Sequence, residues 1–382
     1  METVKARSFP RAGFLGNPSD GYFGKTLSFA FADYCVDLTL TESSKMRFIP
    51  GEVDDAMFDS PESLVRDLRL YGYYGGIRML KAVAKLFFEY CFEHDIALPR
   101  RNFTAEYRTN IPRLVGLSGS SAICSAMLKA LCKFYEVPIG EGGIPMDYTP
   151  TICLEAEKCE LGINCGFQDR VIQMYGGLVF MDFRKDYVEA NNKGIYEELD
   201  PSVISSTSTS HLNLYIAFDP NRAEESGKAH KKVKRLFEEK KPDILSAMSE
   251  FADIAQRGRD LLVAQANQVK VRGEGEQRTY PSSVYRQLAE LVNANFDLRD
   301  RIFNVAELNR NMVMTARSVG ASAKFAGSGG AIVGTFEDEA QFVALGKALA
   351  KIGCTTFVPT IGTRDLESAG IGGGKHVAWR NS

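Results

Sequence analysis

Histidine is scarce in this chain: four residues among 382, at His94, His211, His230 and His376. They are too scattered to complete a zinc centre, and none of the eight cysteines forms a C-x-x-C pair. Zinc is therefore excluded. Most of the cysteines sit among apolar or small residues, the setting of buried reduced thiols, which fits a reducing cytoplasm. No apolar run reaches the roughly 18–20 residues that cross a bilayer. The first residues, Met1-Glu-Thr-Val-Lys-Ala-Arg-Ser8, hold no apolar core, which predicts no secretion signal. Charge of one sign is lacking too. A net charge of −2 gives no field that favours nucleic acid or an anionic membrane. No G-x-x-x-x-G-K-[ST] loop occurs, so a Walker-type nucleotide site is absent.

What is present is ordinary for a soluble globular chain: 45% hydrophobic and 25% charged residues. Its length predicts two domains or one large one. Strand and helix patterns alternate in the first third. Leu27–Leu40 partly alternates apolar and polar residues and is predicted as a half-buried strand. Gly75–Tyr90 repeats apolar residues at helical spacing and predicts a helix with one buried face. Phe103–Asn110 is predicted as a strand, and Pro138–Pro150 as a loop. A helix is expected over 151–161, with Gly162 ending it, and a strand over Tyr175–Phe183. The polar stretch from Asn191 to Ser210 predicts a boundary between domains 1–205 and 206–382. Beyond it, His211–Phe218 is predicted as a strand, and 227–262 and 283–319 as helical, with Pro242 breaking the first run. Residues 266–282 are expected to be mobile and 360–382 poorly packed.

Four segments carry chemistry. Val115-Gly-Leu-Ser-Gly-Ser-Ser-Ala122 packs small residues and hydroxyls into a turn that opens the helix-like run from Ile123 to Tyr135. Such a turn lets backbone N–H groups close on an anion, and the helix dipole adds positive potential. Read alone, it is equally a Ser-capped core helix. Upstream, Arg11 precedes Asn17, Ser19 and Asp20, short polar side chains suited to sugar hydroxyls. Downstream, helical carboxylates at 155–160 lead through a Gly-bounded loop to Gln168-Asp169-Arg170. Finally, Lys324-Phe-Ala-Gly-Ser-Gly-Gly330 runs into the apolar strand Ala331–Val333. Its glycines let a backbone approach a ligand. They precede a strand instead of linking a strand to a helix, so a dinucleotide fold does not fit. Together these parts are an inventory for moving a phosphoryl group from ATP to an alcohol: phosphate turn, metal ligands, an Asp for the acceptor proton and an Arg for developing charge.

In order and spacing the segments resemble the GHMP kinases, whose middle motif is usually P-x-x-x-G-L-x-S-S-A. Here Pro112-x-x-x-Gly116-Leu117-Ser118-Gly119-Ser120-Ser121-Ala122 is one residue longer. Gly72–Arg78, Asn110–Arg113, the extra glycine of the serine turn, Gln168–Arg170 and Tyr175–Gly177 are similar to the glucuronokinase branch. The resemblance implies an α+β, two-domain fold with the active site in the interdomain cleft. It implies Asp169 and Arg11 as catalytic residues. ATP phosphates would meet Gly116, Leu117, Ser118, Gly119, Ser120, Ser121 and Ala122, with Gly327, Ser328 and Gly329. Mg²⁺ would be held by Ser121 and Glu157. Substrate would meet Asn17, Ser19, Asp20, Arg113 and Tyr175. The implied reaction phosphorylates the anomeric hydroxyl of D-glucuronate. The same mechanism on galacturonate, galactose or a heptose phosphate stays open, as does a sugar- and ATP-binding regulator without turnover. A uronate carboxylate wants an Arg fork, for which Arg78, Arg108 and Arg113 are candidates. Expected partners are a small sugar acid and ATP, with no nucleic acid and no membrane. The sequence leaves monomer and homodimer equally open.

Overall fold

The computed structural model describes residues 2–51, 75–204, 212–220, 227–272 and 282–364. The first half contains strands β1 (Thr3–Ser8), β2 (Arg11–Leu15), β3 (Lys25–Ala30), β4 (Val36–Ser43), β5 (Arg47–Phe48), β6 (Asn102–Thr109), β7 (Leu178–Asp182) and β8 (Ile195–Leu199). Its helices are α1 (Gly76–Glu93), α2 (Gly119–Phe134), α3 (Thr149–Glu155), α4 (Gln168–Tyr175) and α5 (Lys185–Asn191). The second half contains β9 (Leu214–Phe218), α6 (Gly227–Glu238), α7 (Pro242–Arg272), α8 (Ser282–Ile302), α9 (Glu307–Ser318), β10 (Lys324–Phe325), β11 (Ala331–Thr335), α10 (Glu339–Ala350) and β12 (Thr355–Phe357).

Three four-stranded sheets result, in the orders β1-β4-β6-β5, β2-β3-β7-β8 and β10-β11-β9-β12. Helix α2 is the central element of the first half. Its residues from Ser121 to Cys132 are all buried, as expected of a helix apolar on every side. Lys129 is its one buried cation, and its Nζ donates to the Gln173 carbonyl at 2.7 Å. That bond ties α2 to α4. Helix α1 turns Leu80, Val83, Ala84 and Phe87 inward, much as the apolar spacing predicts. A smaller core in the second half packs Phe296, Met312 and Leu345 under the third sheet.

Several expected boundaries move. Leu27–Leu40 is two strands in two different sheets, because the chain turns at Phe31–Cys35. Asp33 anchors that turn by accepting from the Thr360 N–H at 2.8 Å. The strand expected from Tyr175 begins only at Leu178, since Gly176 and Gly177 take φ of 69° and 62° and end α4. Gln168-Asp169-Arg170 is the first turn of a helix instead of a loop. The polar run at 266–282 continues α7 as far as Arg272, and 273–281 lie outside the described residues. Residues 360–364 are packed: Ala32 donates to Thr360 at 2.7 Å and Gly362 donates to Ala30 at 2.8 Å. The expected boundary near 205 and the tail from 365 fall outside the described residues.

Candidate active site

The turn before α2 is built on unusual backbone. Gly116 has φ 77°, where a Cβ would meet the Gly329 carbonyl at 2.3 Å. Ser118 takes φ 64°, a left-handed conformation that costs a non-glycine residue on the order of 1 kcal/mol. Four interactions hold it there. Its Oγ donates to Asp169 Oδ2 at 2.6 Å, and its carbonyl accepts from Gln173 Nε2 at 2.9 Å, from the Ala122 N–H at 3.2 Å and from the Ser121 hydroxyl at 3.2 Å. No side chain caps the first N–H groups of α2. That leaves a helix N-terminus of 16 residues directed at the cavity, whose lining includes Ser118, Gly119 and Ser120.

Asp169 stands opposite, in the first turn of α4. Arg11 Nε donates to its Oδ1 at 2.7 Å, and Arg170 Nη1 lies 3.6 Å from its Oδ2. Burial alone would raise its pKa. The charges of Arg11 and Arg170 and the bonds from Arg11 and Ser118 outweigh burial, so the carboxyl is held below its ordinary value. Arg11 also donates from Nη1 to the Gly116 carbonyl at 2.8 Å and toward that of Ala326 at 3.3 Å. One guanidinium thus joins the Asp169 carboxylate to both glycine loops. Those loops interlock: a Cβ on Gly327 would sit 2.3 Å from the Gly116 carbonyl.

Asp20 behaves oppositely. Burial and the neighbouring Asp169 charge push its pKa up to about 6, against the lowering effect of Arg11. A Cβ on Gly166 would come 2.3 Å from its Oδ2, so only glycine lets that wall approach. Asn17 is fixed by Lys324, whose buried Nζ donates to Asn17 Oδ1 and, at 2.6 Å, to the Gly13 carbonyl. Burial, reinforced by Arg299 and Arg11, holds the Lys324 ammonium well below the usual lysine range.

Glu157 is fully buried and paired with buried Arg170, whose Nε donates to Oε2 at 2.8 Å. Its other oxygen, Oε1, is buried with no hydrogen-bond partner among the described residues. A buried, orphaned carboxylate oxygen on a cavity wall suits a hard cation, which takes oxygen ligands.

These groups line one cavity of about 540 Å³ with walls from both halves of the chain. Of the expected phosphate-side residues, Gly116, Leu117, Ser118, Gly119, Ser120, Gly327 and Ser328 line it. Ser121 does not: it is 0% exposed and its Oγ donates to the Ser118 carbonyl at 3.2 Å, so the cavity meets Ser120 instead. Ala122 is buried in the core, and Gly329 lies behind Gly116. On the other wall Asn17, Asp20 and Arg113 line the cavity, whereas Arg78 and Arg108 do not. Ser19 turns away, donating to the Lys25 carbonyl at 2.8 Å. Tyr175 sits at the far end of α4 with its ring against Tyr196, at 5.6 Å between centroids. Both leave the expected substrate set because they are buried, Ser19 at the start of a 3-10 turn over Ser19–Tyr22 and Tyr175 at the end of α4.

Comparison with known proteins decides the family. Residues 78–177 match the family model for the GHMP kinases N terminal domain. The chain is 41% identical over 334 residues to Glucuronokinase 1 of Arabidopsis thaliana, covering 86% of this chain and 84% of that protein. The chain belongs to the GHMP kinase family. It is also 43% identical over 332 residues to Probable glucuronokinase 2 of the same plant, covering 86% of this chain and 82% of that one. Galactokinase of Lactococcus lactis, solved with galactose, shares the fold at a TM-score of 0.67 and 15% identity, over 95% of this chain and 94% of that one. The fold is therefore the two-domain α+β architecture of GHMP kinases, with the cavity between the halves.

Four groups at this GHMP kinase site were given no role from the sequence: Arg170 (though part of the Gln168–Arg170 motif), Gln173, Asn295 and Arg299. The last two had a signal. In α8, Asn295 and Arg299 continue the helical stripe of Leu288, Leu291 and Val292. Polar side chains at core positions of a helix must be bonded to something.

Proposed function

We propose that the chain is an ATP-dependent kinase that moves the γ-phosphoryl group of ATP to the C1 hydroxyl of D-glucuronate, giving glucuronate 1-phosphate and ADP. Similarity to glucuronokinases over 86% of the chain supports the substrate. The observation that carries the mechanism is Asp169, held at 2.7 Å by Arg11 and at 2.6 Å by Ser118 where the phosphate turn meets α4. In this reading the uncapped start of α2 and the 327–328 loop receive the phosphates. Asp20 and Asn17 take the sugar hydroxyls, and Arg113 faces the carboxylate. Asp169 orients the acceptor hydroxyl and receives its proton as the bond to phosphorus forms. Phosphoryl transfer asks little basicity of that group, because its transition state is loose and leaves the proton late. Arg11 keeps Asp169 ionised and adds positive charge beside the transferring group.

Mg²⁺ fits the orphaned Oε1 of Glu157, with the Ser120 hydroxyl as the second protein ligand in place of the buried Ser121. When bound with ATP, it neutralises charge on the phosphates. We place the division between the halves at 205/206. Eight unpaired cysteines and the absence, among the described residues, of a helix long and apolar enough to cross a membrane are compatible with a cytoplasmic location.

A second reading keeps the mechanism and changes the sugar. The D-glycero-alpha-D-manno-heptose 7-phosphate kinase of Campylobacter jejuni, 26% identical over 262 residues, favours weighing it. ADP release with Mg²⁺-ATP and glucuronate, galacturonate, galactose or a heptose 7-phosphate separates the two. Turnover on glucuronate above the others is expected. Preference for another sugar discards the substrate, and no turnover on any discards the kinase reading.

A further inference from the structure

Both walls of the cavity hang from one helix. Asn295 and Arg299 lie four residues apart on α8, so they share a face. Asn295 is fully buried. Its Oδ1 accepts from the Gly16 N–H at 2.7 Å and its Nδ2 donates to the Asn17 carbonyl at 3.0 Å. Arg299 is 4% exposed, and its two Nη groups donate to the Gly327 and Ser328 carbonyls, each at 2.8 Å. Its guanidinium also lies 5.4 Å over the Phe303 ring and 5.0 Å over that of Phe325. One side chain therefore holds the loop that leads to Asp20. The other holds the loop that interlocks with the phosphate turn.

Neither loop fixes itself by regular pairing. Gly16 sits at φ 86°, where a Cβ would meet the Lys25 carbonyl at 2.2 Å and the Ala255 Cβ at 2.7 Å, and β2 is irregular between Gly13 and Leu15. The 327–328 segment is a bend between two strands. The side-chain bonds from α8 thus add to those of Lys324 and Arg11 in setting the backbone of each.

We propose that Asn295 and Arg299 are positioning residues that act separately, Asn295 on the sugar wall and Arg299 on the nucleotide wall. This rests on the kinase reading of the cavity. Loss of a buried hydrogen bond from a loop that must keep its geometry costs a factor of about ten in the affinity of that loop's ligand. Asn295→Ala then raises the KM for glucuronate about tenfold and leaves the KM for ATP within about twofold. Arg299→Met gives the mirror image, and the double variant shows both shifts additively. Simple core packing predicts something else: lower thermal stability, with both KM values moving together or neither moving.

The test is steady-state kinetics on the full chain, with calorimetric titration of a non-hydrolysable ATP analogue. Asn295→Asp keeps the bond from Gly16 and loses the one to Asn17. Arg299→Lys keeps the charge and loses the fork. Each conservative variant should show the same split at smaller size, which carries the test if a truncation fails to fold. The titration needs no turnover: weaker analogue binding in Arg299→Met or Arg299→Lys, with unchanged binding in the Asn295 variants, supports the assignment. A joint shift, or equal analogue binding in all variants, overturns it. Absence of turnover on glucuronate in the wild type with that titration split intact counts against the substrate and for the nucleotide-wall role of Arg299.

Discussion

Replacing Asp169 by Asn changes one charge and almost no volume, so it isolates what the carboxylate does. The amide keeps one oxygen, which accepts from either Arg11 or Ser118 but presents N–H to the other. With that oxygen turned to Ser118, Arg11 keeps only the carbonyls of Gly116 and Ala326; turned to Arg11, it leaves a neutral bond where a charge-assisted one stood. Loss of a charge-assisted bond in a mostly buried setting costs about 1–3 kcal/mol of stability, which leaves the chain folded. Turnover suffers more. Loss of a positioned proton acceptor lowers kcat by about 10²–10⁴, or about 3–5 kcal/mol of transition-state stabilisation. Nucleotide binding should hold or tighten, because a negative group beside the γ-phosphate has gone. Coupled detection of ADP gives kcat, and titration with a non-hydrolysable ATP analogue gives affinity. A folded variant with kcat within tenfold of wild type would refute the role given to Asp169. A matching loss of analogue affinity would point to collapse of the turn through Ser118.

Further outcomes are expected. Arg170→Met strands the fully buried Glu157 charge and lowers stability by about 3–5 kcal/mol, while adding Glu157→Gln to it recovers part of the loss; thermal melts of singles and double that fail to differ would rule out that pairing. With Asp20 raised to about 6, its acceptor form fades below that pH, so kcat/KM for the sugar should fall on the acid side. Asp20→Asn should flatten that limb. The sign for stability follows from the same shift: a carboxyl raised above its ordinary 3.8 penalises the fold at pH above about 6, and the penalty fades as pH falls through that value. Asp20→Asn should therefore raise Tm more at pH 8 than at pH 4, and equal gains at both would contradict it. Gly116→Ala places a methyl 2.3 Å from the Gly329 carbonyl at a φ of 77°. A rise of about tenfold or more in the KM for ATP is expected, read in the same coupled assay.

Much of this site was legible because small residues and fixed spacing mark places where backbone meets ligand. The glycine turn, Asp169, Glu157 and the Lys324–Gly330 segment all lie where such logic puts them in the chain. Individual side chains were harder. Ser19 and Ser121 carry useful hydroxyls, yet each satisfies a nearby carbonyl inside the core. Sequence gives the hydroxyl and not its direction. Tyr175 was drawn to the site by its glycines, which in fact end a helix and start a strand. The fused reading of Leu27–Leu40 failed for a different reason. The large apolar residues fall at 27, 29 and 31 and then at 34, 36, 38 and 40, so the alternation changes phase at Asp33, where the distant Thr360 fixes the turn. Asn295 serves a loop 278 and 279 residues away in sequence and Arg299 one 28 and 29 residues away, relations no local pattern holds.

The return of residues 360–362 to Ala30, Ala32 and Gly177 has a bearing on how this enzyme is cut and rebuilt. The polypeptide crosses from the first half to the second and then comes back. Strand β3, the neighbour of Arg11, is bordered at its end by backbone from the far end of the chain. A fragment stopping near residue 205 would lack that stitch, and exchange of the second half with a relative would import a foreign one. Any chimera or split version of this protein should therefore treat 360–364 as cargo of the first half, moved together with β2 and β3, and leave β12 with β9.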